Sequence, residues 1–200
     1  MYQYKPEDVD CKYCAEWRHR RCQAAGCPWL AERIEAGTVS YATVILKMFR
    51  NVKDADIVRR IGQLVLNFRG SLWLSAEHEF NTRQLLQSVG FGAWRDPRYF
   101  SALYLFGSNR TLLKRAWNAC LPKRFIPEYI WLYGISPHDY ALVTAAKTML
   151  GVEGFEEAMP AELLADTEVI DDEAFRLIVN ALLIANYGPA VLKTGGGSAG

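Results

Sequence analysis

The chain has 200 residues, half of them apolar, and a formal net charge of +1 at pH 7. This length gives one ordinary domain, or one domain with a small attached module, and the apolar content excludes a disordered chain. The near-neutral charge argues against a protein that coats DNA.

The first residues, MYQYKPED, are polar and do not form a secretory signal. No apolar run approaches the roughly 20 residues that a membrane helix needs. We therefore expect a soluble, cytoplasmic protein with no membrane partner.

Capping residues divide most of the chain into predicted helices. The predicted starts are Pro28, Ser40, Asp54 or Asp56, Ser75, Asp96, Arg110, Ser136 and Asp171. The predicted ends are Gly37, Gly70, Gly90, Gly107, Cys120 and Gly151. The last helix, opened by Asp171, is apolar on nearly every side and should lie in the middle of a bundle. Because no segment shows sustained period-two alternation, the sequence predicts an all-α fold.

Four of the five cysteines, Cys11, Cys14, Cys22 and Cys27, lie within seventeen positions. In a reducing cytosol such a cluster indicates a metal site rather than disulfides, and two short-spaced pairs can supply four thiolates to a tetrahedral Zn²⁺. A redox pair at Cys11 and Cys14, or unrelated thiols, are the alternatives, and His19 could replace one cysteine. A zinc ion with four protein ligands has no open position, so its role would be structural.

These features predict a helical bundle with a small N-terminal four-cysteine zinc module. The expected regions are a zinc-binding head at residues 1–37, a helical body at residues 38–190, and a flexible tail or linker remnant at residues 191–200. The Gly-rich end of the tail is typical of flexible linkers.

A basic run lies inside the metal loop and consists of Trp17, Arg18, His19, Arg20 and Arg21. Side chains of such a short loop are forced outward, so the arginines could contact phosphates or an acidic protein surface, and Trp17 could stack. The alternative is a solvated loop with Trp17 packed on the core. A second basic set could extend this surface if the fold brings it near: Arg110, Lys114, Arg115, Lys123 and Arg124.

Other polar clusters are interpreted structurally. Glu77, His78 and Glu79 are adjacent on a predicted helix and diverge by about 100° each, so we expect first-turn acids rather than a shared ion site. His138 is expected on the surface of a first helical turn, and Cys120 as a buried small hydrophobe. The sequence contains no P-loop, dinucleotide glycine motif, nucleophile elbow or H-E-x-x-H motif, so we predict no enzymatic activity.

An acidic segment, residues 153–173, holds nine Asp and Glu and no Lys or Arg. Such a segment is most often a solvated loop and helix start. The alternative is mimicry of a phosphate backbone, which would let the protein occupy the nucleic-acid channel of an enzyme.

Three stretches carry a resemblance: residues 75–86 (SAEHEFNTRQLL), 99–105 (YFSALYL) and 172–182 (DEAFRLIVNAL). Over residues 71–188 the chain resembles uncharacterised proteins encoded on mobile genetic elements of gut Firmicutes. Residues 11–34 look like short cysteine-rich, zinc-binding proteins from the same elements. The resemblance implies no catalytic residues. It implies a genomic setting in which small non-enzymatic proteins counter host defences, including anti-CRISPR proteins.

Together these observations predict a protein that works by binding. The favoured target is a host nucleic-acid-processing protein, most concretely a Cas9-type CRISPR effector, engaged through the basic loop or the acidic segment. The alternative is a zinc-dependent DNA- or RNA-binding regulator or transfer factor that uses the basic loop directly.

Overall fold

A computed structural model describes residues 3–24, 27–90, 92–122, 124–152 and 164–195, and within these ranges the protein is mainly helical. The α-helices whose ends lie in these ranges are α1 (Leu30–Glu35), α2 (Tyr41–Met48), α3 (Ala55–Leu66), α4 (Ala76–Val89), α5 (Gly92–Arg95), α6 (Pro97–Phe106), α7 (Arg110–Ala116), α8 (Pro137–Met149) and α9 (Asp172–Tyr187). Segments of 3-10 helix cover Pro6–Val9, Cys11–Tyr13, Pro127–Tyr129 and Pro189–Gly195.

The mainly helical structure agrees with the all-α prediction at the level of fold class, and two short antiparallel hairpins accompany the helices. Strand β1 (Trp17–Arg18) pairs with β2 (Arg21–Cys22), and β3 (Cys120–Leu121) pairs with β4 (Arg124–Phe125). A two-residue strand is too short to show period-two alternation, which is why the sequence pattern did not reveal the hairpins. The second hairpin also ends α7 at Ala116, before the predicted end at Cys120.

Polar side chains cap the helices at most of the predicted starts. The Ser75 hydroxyl accepts a hydrogen bond from the His78 N–H, and the Ser136 hydroxyl accepts one from the Asp139 N–H. Each such bond satisfies a backbone donor that the first helical turn leaves free. Two boundaries differ from the prediction, because α1 begins two residues after Pro28 and α3 ends at Leu66, before Gly70.

Helix α9 lies in the middle of the bundle, as its apolar composition predicts. It packs on α2, α6, α8 and the C-terminal 3-10 segment. All eight residues 99–106 of α6 are buried, and α6 has its most extensive contact with α9. The pair of helices α6 and α9 therefore forms the centre of the core. No helix in the described ranges is both long and apolar enough to cross a membrane.

A buried polar network joins this centre to its neighbours. The Tyr41 hydroxyl donates to Asn180 Oδ1 at 2.7 Å, and Asn180 Nδ2 donates to the Leu72 carbonyl at 3.2 Å. Tyr104, which is also buried, donates its hydroxyl to the same carbonyl. Because every one of these groups has a partner, the network stabilises the core instead of costing free energy.

A buried arginine ties a loop to the bundle. Arg60 is 3% exposed and donates to the carbonyls of Leu164, Ile170 and Asp171 at 2.7–3.0 Å. Its guanidinium also lies 4.1 Å from the centre of the Phe175 ring. The helical pattern of α3 alone does not reveal this burial, because the accepting carbonyls are more than 100 residues away along the chain.

The C-terminal 3-10 segment packs against α1. Val191 and Thr194 of the C-terminal 3-10 segment are buried, and Lys193 Nζ donates to the Glu35 carbonyl at 3.1 Å. The tail predicted to be flexible from residue 191 is therefore packed as far as Thr194, and residues 196–200 lie outside the described ranges. Helix α1 belongs to the common core through Leu30 and Ile34.

Candidate metal centre and basic hairpin

The first two cysteines lie at the ends of one tight turn. The Asp10 carboxylate accepts from the Lys12 N–H and begins this 3-10 turn, and the Cys14 N–H donates to the Cys11 carbonyl at 2.9 Å. The Trp17 N–H then donates to the Cys14 carbonyl at 3.0 Å. The turn therefore leads directly into β1.

The β1–β2 hairpin brings the third cysteine back to this turn. Trp17 is paired with Cys22 and Arg18 with Arg21, while His19 and Arg20 form the connection. Both connecting residues have positive φ, 51° and 63°, as a two-residue type I′ turn requires. Asn and Gly are the usual residues there, so this turn is strained and needs support from outside the hairpin.

All four clustered cysteines line one cavity of about 460 Å³. The aromatic side chains that share its wall are Tyr13, Trp17 and Trp29. All four cysteines are free thiols, with no disulfide among them. The four cysteines that the sequence groups by their spacing therefore line the same cavity.

The donor chemistry of this cavity fits Zn²⁺, because four thiols are the donor set of a structural zinc site. Their spacing in the structure is looser than such a site: in the described part of the chain, no three His, Cys, Asp or Glu side chains are gathered closely enough to hold a metal ion. His19, the alternative ligand, is at the tip of the hairpin and does not line the cavity.

Arg33 points from α1 toward the fourth cysteine. Its Nη1 atom lies 3.9 Å from Cys27 Sγ, and its Nε atom is buried without a hydrogen-bond partner among the described residues. Sequence analysis did not single out Arg33, because its distance from Cys27 depends on how α1 folds back.

The predicted basic run is exposed along its whole length. Trp17 is 37% exposed, so it is not packed into the core, and residues 18–21 are all exposed. Within the described ranges no carboxylate forms an ion pair with Arg18, Arg20 or Arg21. By contrast, Arg83 of α4 lies 2.7 Å from Glu79. The hairpin therefore presents positive charge that no carboxylate in the described part of the chain neutralises.

The Glu77–His78–Glu79 cluster does not converge, in agreement with the helical-spacing argument. Glu77 pairs with Arg110, and Glu79 pairs with Arg83. His78 is fully buried, which the sequence did not predict.

The burial of His78 fixes its protonation. Its Nδ1 accepts from the Leu74 N–H at 3.2 Å, which leaves Nε2 to donate to the Tyr104 carbonyl at 2.8 Å. Burial lowers the pKa of His78 to about 4, against the opposing effect of the Tyr104 hydrogen bond. His78 is thus a neutral structural residue.

The remaining predicted residues have structural roles. Cys120 is buried as predicted, and burial raises the pKa of its thiol to about 12. His138 is partly buried rather than fully on the surface, with Nδ1 2.7 Å from Asp171 Oδ2. Burial raises the pKa of Asp171, but hydrogen bonds from the Ala174 N–H and from His138 outweigh it and hold the pKa below its ordinary value.

The acidic segment is described only in part. Its acids at positions 153, 156, 157 and 162 lie outside the described ranges, as does Lys123 of the second basic set. The five acids between 166 and 173 are exposed. Three of them already contact other side chains of the protein, because Asp171 and Glu173 contact His138 and Asp172 contacts Arg60.

Comparison of the chain with protein-family models, with curated proteins and with solved structures gave no match. The function must therefore be argued from the residues themselves.

Proposed function

We propose that this is a non-enzymatic binding protein in which a structural Zn²⁺, held by Cys11, Cys14, Cys22 and Cys27, fixes a basic hairpin that binds nucleic acid through its phosphates. The observation that carries the proposal is the exposure of Arg18, Arg20 and Arg21 on the hairpin with no described carboxylate partner.

The need for zinc follows from how little else holds the head together. Between Val9 and Leu30 no described residue is buried, and the hairpin strands have two residues each. An isolated hairpin of this size is not stable in water, so a staple is required. Four free thiols around one cavity supply the ligands, and a reducing cytoplasm is the compartment in which such thiols stay available to zinc.

The hairpin geometry favours an anionic ligand. Arg18 and Arg21 are directly paired across the two strands, so their side chains project from the same face. Like charges placed opposite each other destabilise a strand pair, and a phosphate between them would reverse that cost. Trp17 precedes Arg18 in β1 and therefore projects from the opposite face, where its partly exposed ring is available for stacking.

The test is a fluorescence anisotropy titration of labelled duplex and single-stranded DNA across a salt series. We expect the affinity for DNA to fall as the salt concentration rises. The steepness of log K against log salt should decrease by about one for each arginine removed, and by roughly three in the Arg18→Ala/Arg20→Ala/Arg21→Ala variant. The matched control is Arg59→Ala/Arg83→Ala, because both arginines are exposed but paired with Asp56 and Glu79. An unchanged affinity and slope in the triple variant would remove the proposal.

A second candidate is inhibition of a host nucleic-acid-processing protein such as a Cas9-type effector. The exposed acids Asp166, Glu168 and Glu173 favour it, because they could occupy a basic nucleic-acid channel. This candidate predicts a stoichiometric complex with the effector, little affinity for free DNA, and loss of the complex on Asp166→Lys/Glu168→Lys. Size-exclusion chromatography of the mixture distinguishes the two candidates.

A further inference from the structure

A loop on the body holds aromatic side chains out into the solvent. Tyr129, Trp131 and Tyr133 are 58%, 71% and 84% exposed, and Trp117, just after α7, is 42% exposed. Folded proteins seldom leave several large rings uncovered in one loop, and such clusters mark interaction sites. The exposure therefore needs an explanation other than packing.

The loop is held firmly while its rings stay free. Arg115 of α7 donates from Nη1 to the carbonyls of Trp131 and Tyr133, the latter at 3.1 Å, and its Nη2 lies 3.4 Å from the Gly134 carbonyl. Ile130, between the exposed rings, is 5% exposed and anchors the loop in the core. These bonds use main-chain oxygens, so the aromatic side chains are presented on a fixed backbone.

The charge around the loop is positive. From Arg110 to His138 the sequence holds five Lys and Arg and a single acid, Glu128. Arg110 is paired with Glu77, but Arg115 bonds only to carbonyls within the described ranges, and Lys114 beside it is exposed. Lys114 and Trp117 are three residues apart, which places a cation and a ring on one side of the helix end. The surface thus combines ring faces with cations that have no carboxylate partner among the described residues.

We propose that Trp131 and Tyr133, with Trp117, form a base-stacking platform for single-stranded nucleic acid, and that Lys114 and Arg115 attract its phosphates. Exposed rings on a cationic surface are the means by which proteins hold single strands without reading their sequence, because every base has a face to stack. A protein partner is the less favoured occupant, since interface centres are depleted of Lys. The platform is separate from the β1–β2 hairpin and does not depend on it.

The experiment measures binding of a labelled oligothymidylate of about 15 nucleotides, and of a blunt DNA hairpin duplex, by anisotropy with the full chain. We expect Trp131→Ala/Tyr133→Ala to weaken oligothymidylate binding about tenfold or more and duplex binding less than twofold. Trp131→Phe keeps a ring face and should retain most of the affinity. Phe80→Ala is the matched control, because Phe80 is an exposed ring (59%) on α4, outside the loop.

Each outcome separates this inference from the proposed function. Both proposals are supported if duplex affinity falls only in the Arg18→Ala/Arg20→Ala/Arg21→Ala variant and oligothymidylate affinity falls in Trp131→Ala/Tyr133→Ala. Oligothymidylate binding that is the same in the ring variant and in Phe80→Ala overturns the platform while leaving the hairpin untouched. Absence of oligothymidylate binding by the unaltered protein at 50 mM salt also overturns it and assigns the rings to a protein partner.

Discussion

The head and the body of this chain obtain their order from different sources. In the body, Phe100, Tyr104 and Phe106 are at most 1% exposed, and the polar groups beside them form a buried network with partners for each member. In the head, the described residues between Val9 and Leu30 are all at least partly exposed, and the hairpin contains a strained turn. Burial stabilises the first region, and we propose that bound zinc, by tying the cysteines together, orders the second.

The largest expected effect concerns the head alone. Binding free energies of structural zinc are about 10–16 kcal/mol, so Cys14→Ser, or a chelator, should unfold residues 11–22 while the body keeps its helices. Hydrogen exchange followed by mass spectrometry compares these residues with α6. The matched control is Cys120→Ser, which alters a buried thiol in the body and should leave the head protected. Equal protection of the head before and after chelation would contradict the zinc staple.

The next largest effect is a loss of stability of the body at low pH. His78 is neutral when folded, because its pKa is lowered to about 4, but it takes up a proton in the unfolded chain near its ordinary value of 6.5. Between these values the unfolded state binds more protons, so the free energy of unfolding falls as pH is lowered from about 6.5 to about 4, by at most about 3 kcal/mol.

Urea unfolding at pH 7.5 and pH 4.5 checks this expectation. His78→Gln keeps a hydrogen-bond donor and an acceptor but does not titrate. The free energy of unfolding of this variant should therefore fall less between pH 7.5 and pH 4.5 than that of the unaltered protein. The carboxylates titrate in both proteins, so their contribution to the pH dependence of stability cancels when the two proteins are compared. Parallel losses in the two proteins would show that His78 does not contribute.

A smaller effect tests the close packing of α4 on α6. A Cβ atom added at Gly107 would lie 2.2 Å from Thr82 Oγ1 and 2.8 Å from the Thr82 backbone nitrogen. Because backbone atoms cannot move aside cheaply, Gly107→Ala should lower the free energy of unfolding by roughly 1–3 kcal/mol. Equilibrium urea denaturation measures the change, and an unchanged midpoint would mean that the two helices can separate freely.

The smallest effect has the opposite sign. Gly62 lies inside α3, and a Cβ atom added there meets no atom within 4 Å. Gly62→Ala should therefore stabilise the body by about 0.5–1 kcal/mol, since alanine favours the helix and has less backbone freedom to lose. The head should be unaffected in hydrogen exchange. Destabilisation by this substitution would indicate a packing contact that the space around Gly62 does not suggest.

The sequence predicts local features of the body well and long-range polar contacts poorly. Caps such as Ser75 and Ser136 are set by residues three positions away, so their helices begin where expected. The burial of Arg60 and His78 depends on distant carbonyls, those of Leu164 and Tyr104, which no local pattern reveals.

At the candidate sites, the sequence spacing identifies the cysteines and the basic run but not the residues that lie around them in the fold. The contact between Arg33 and Cys27 forms only because α1 folds back toward Cys27. The aromatic loop was missed although a signal existed: Tyr129, Trp131 and Tyr133 recur at every second position, between Pro127 and Gly134, in a stretch with surplus cations. Pro127 and Gly134 mark this stretch as a loop, and because loops run over the protein surface, its rings are candidates for exposure.

Native mass spectrometry of the chain purified at neutral pH without chelator measures the zinc content that the proposed site requires. We expect one Zn²⁺ per chain, bound by four reduced cysteines, and its loss in the Cys14→Ser variant. A metal-free chain with a folded head, or a chain whose mass shows disulfides among these cysteines, would contradict the zinc site.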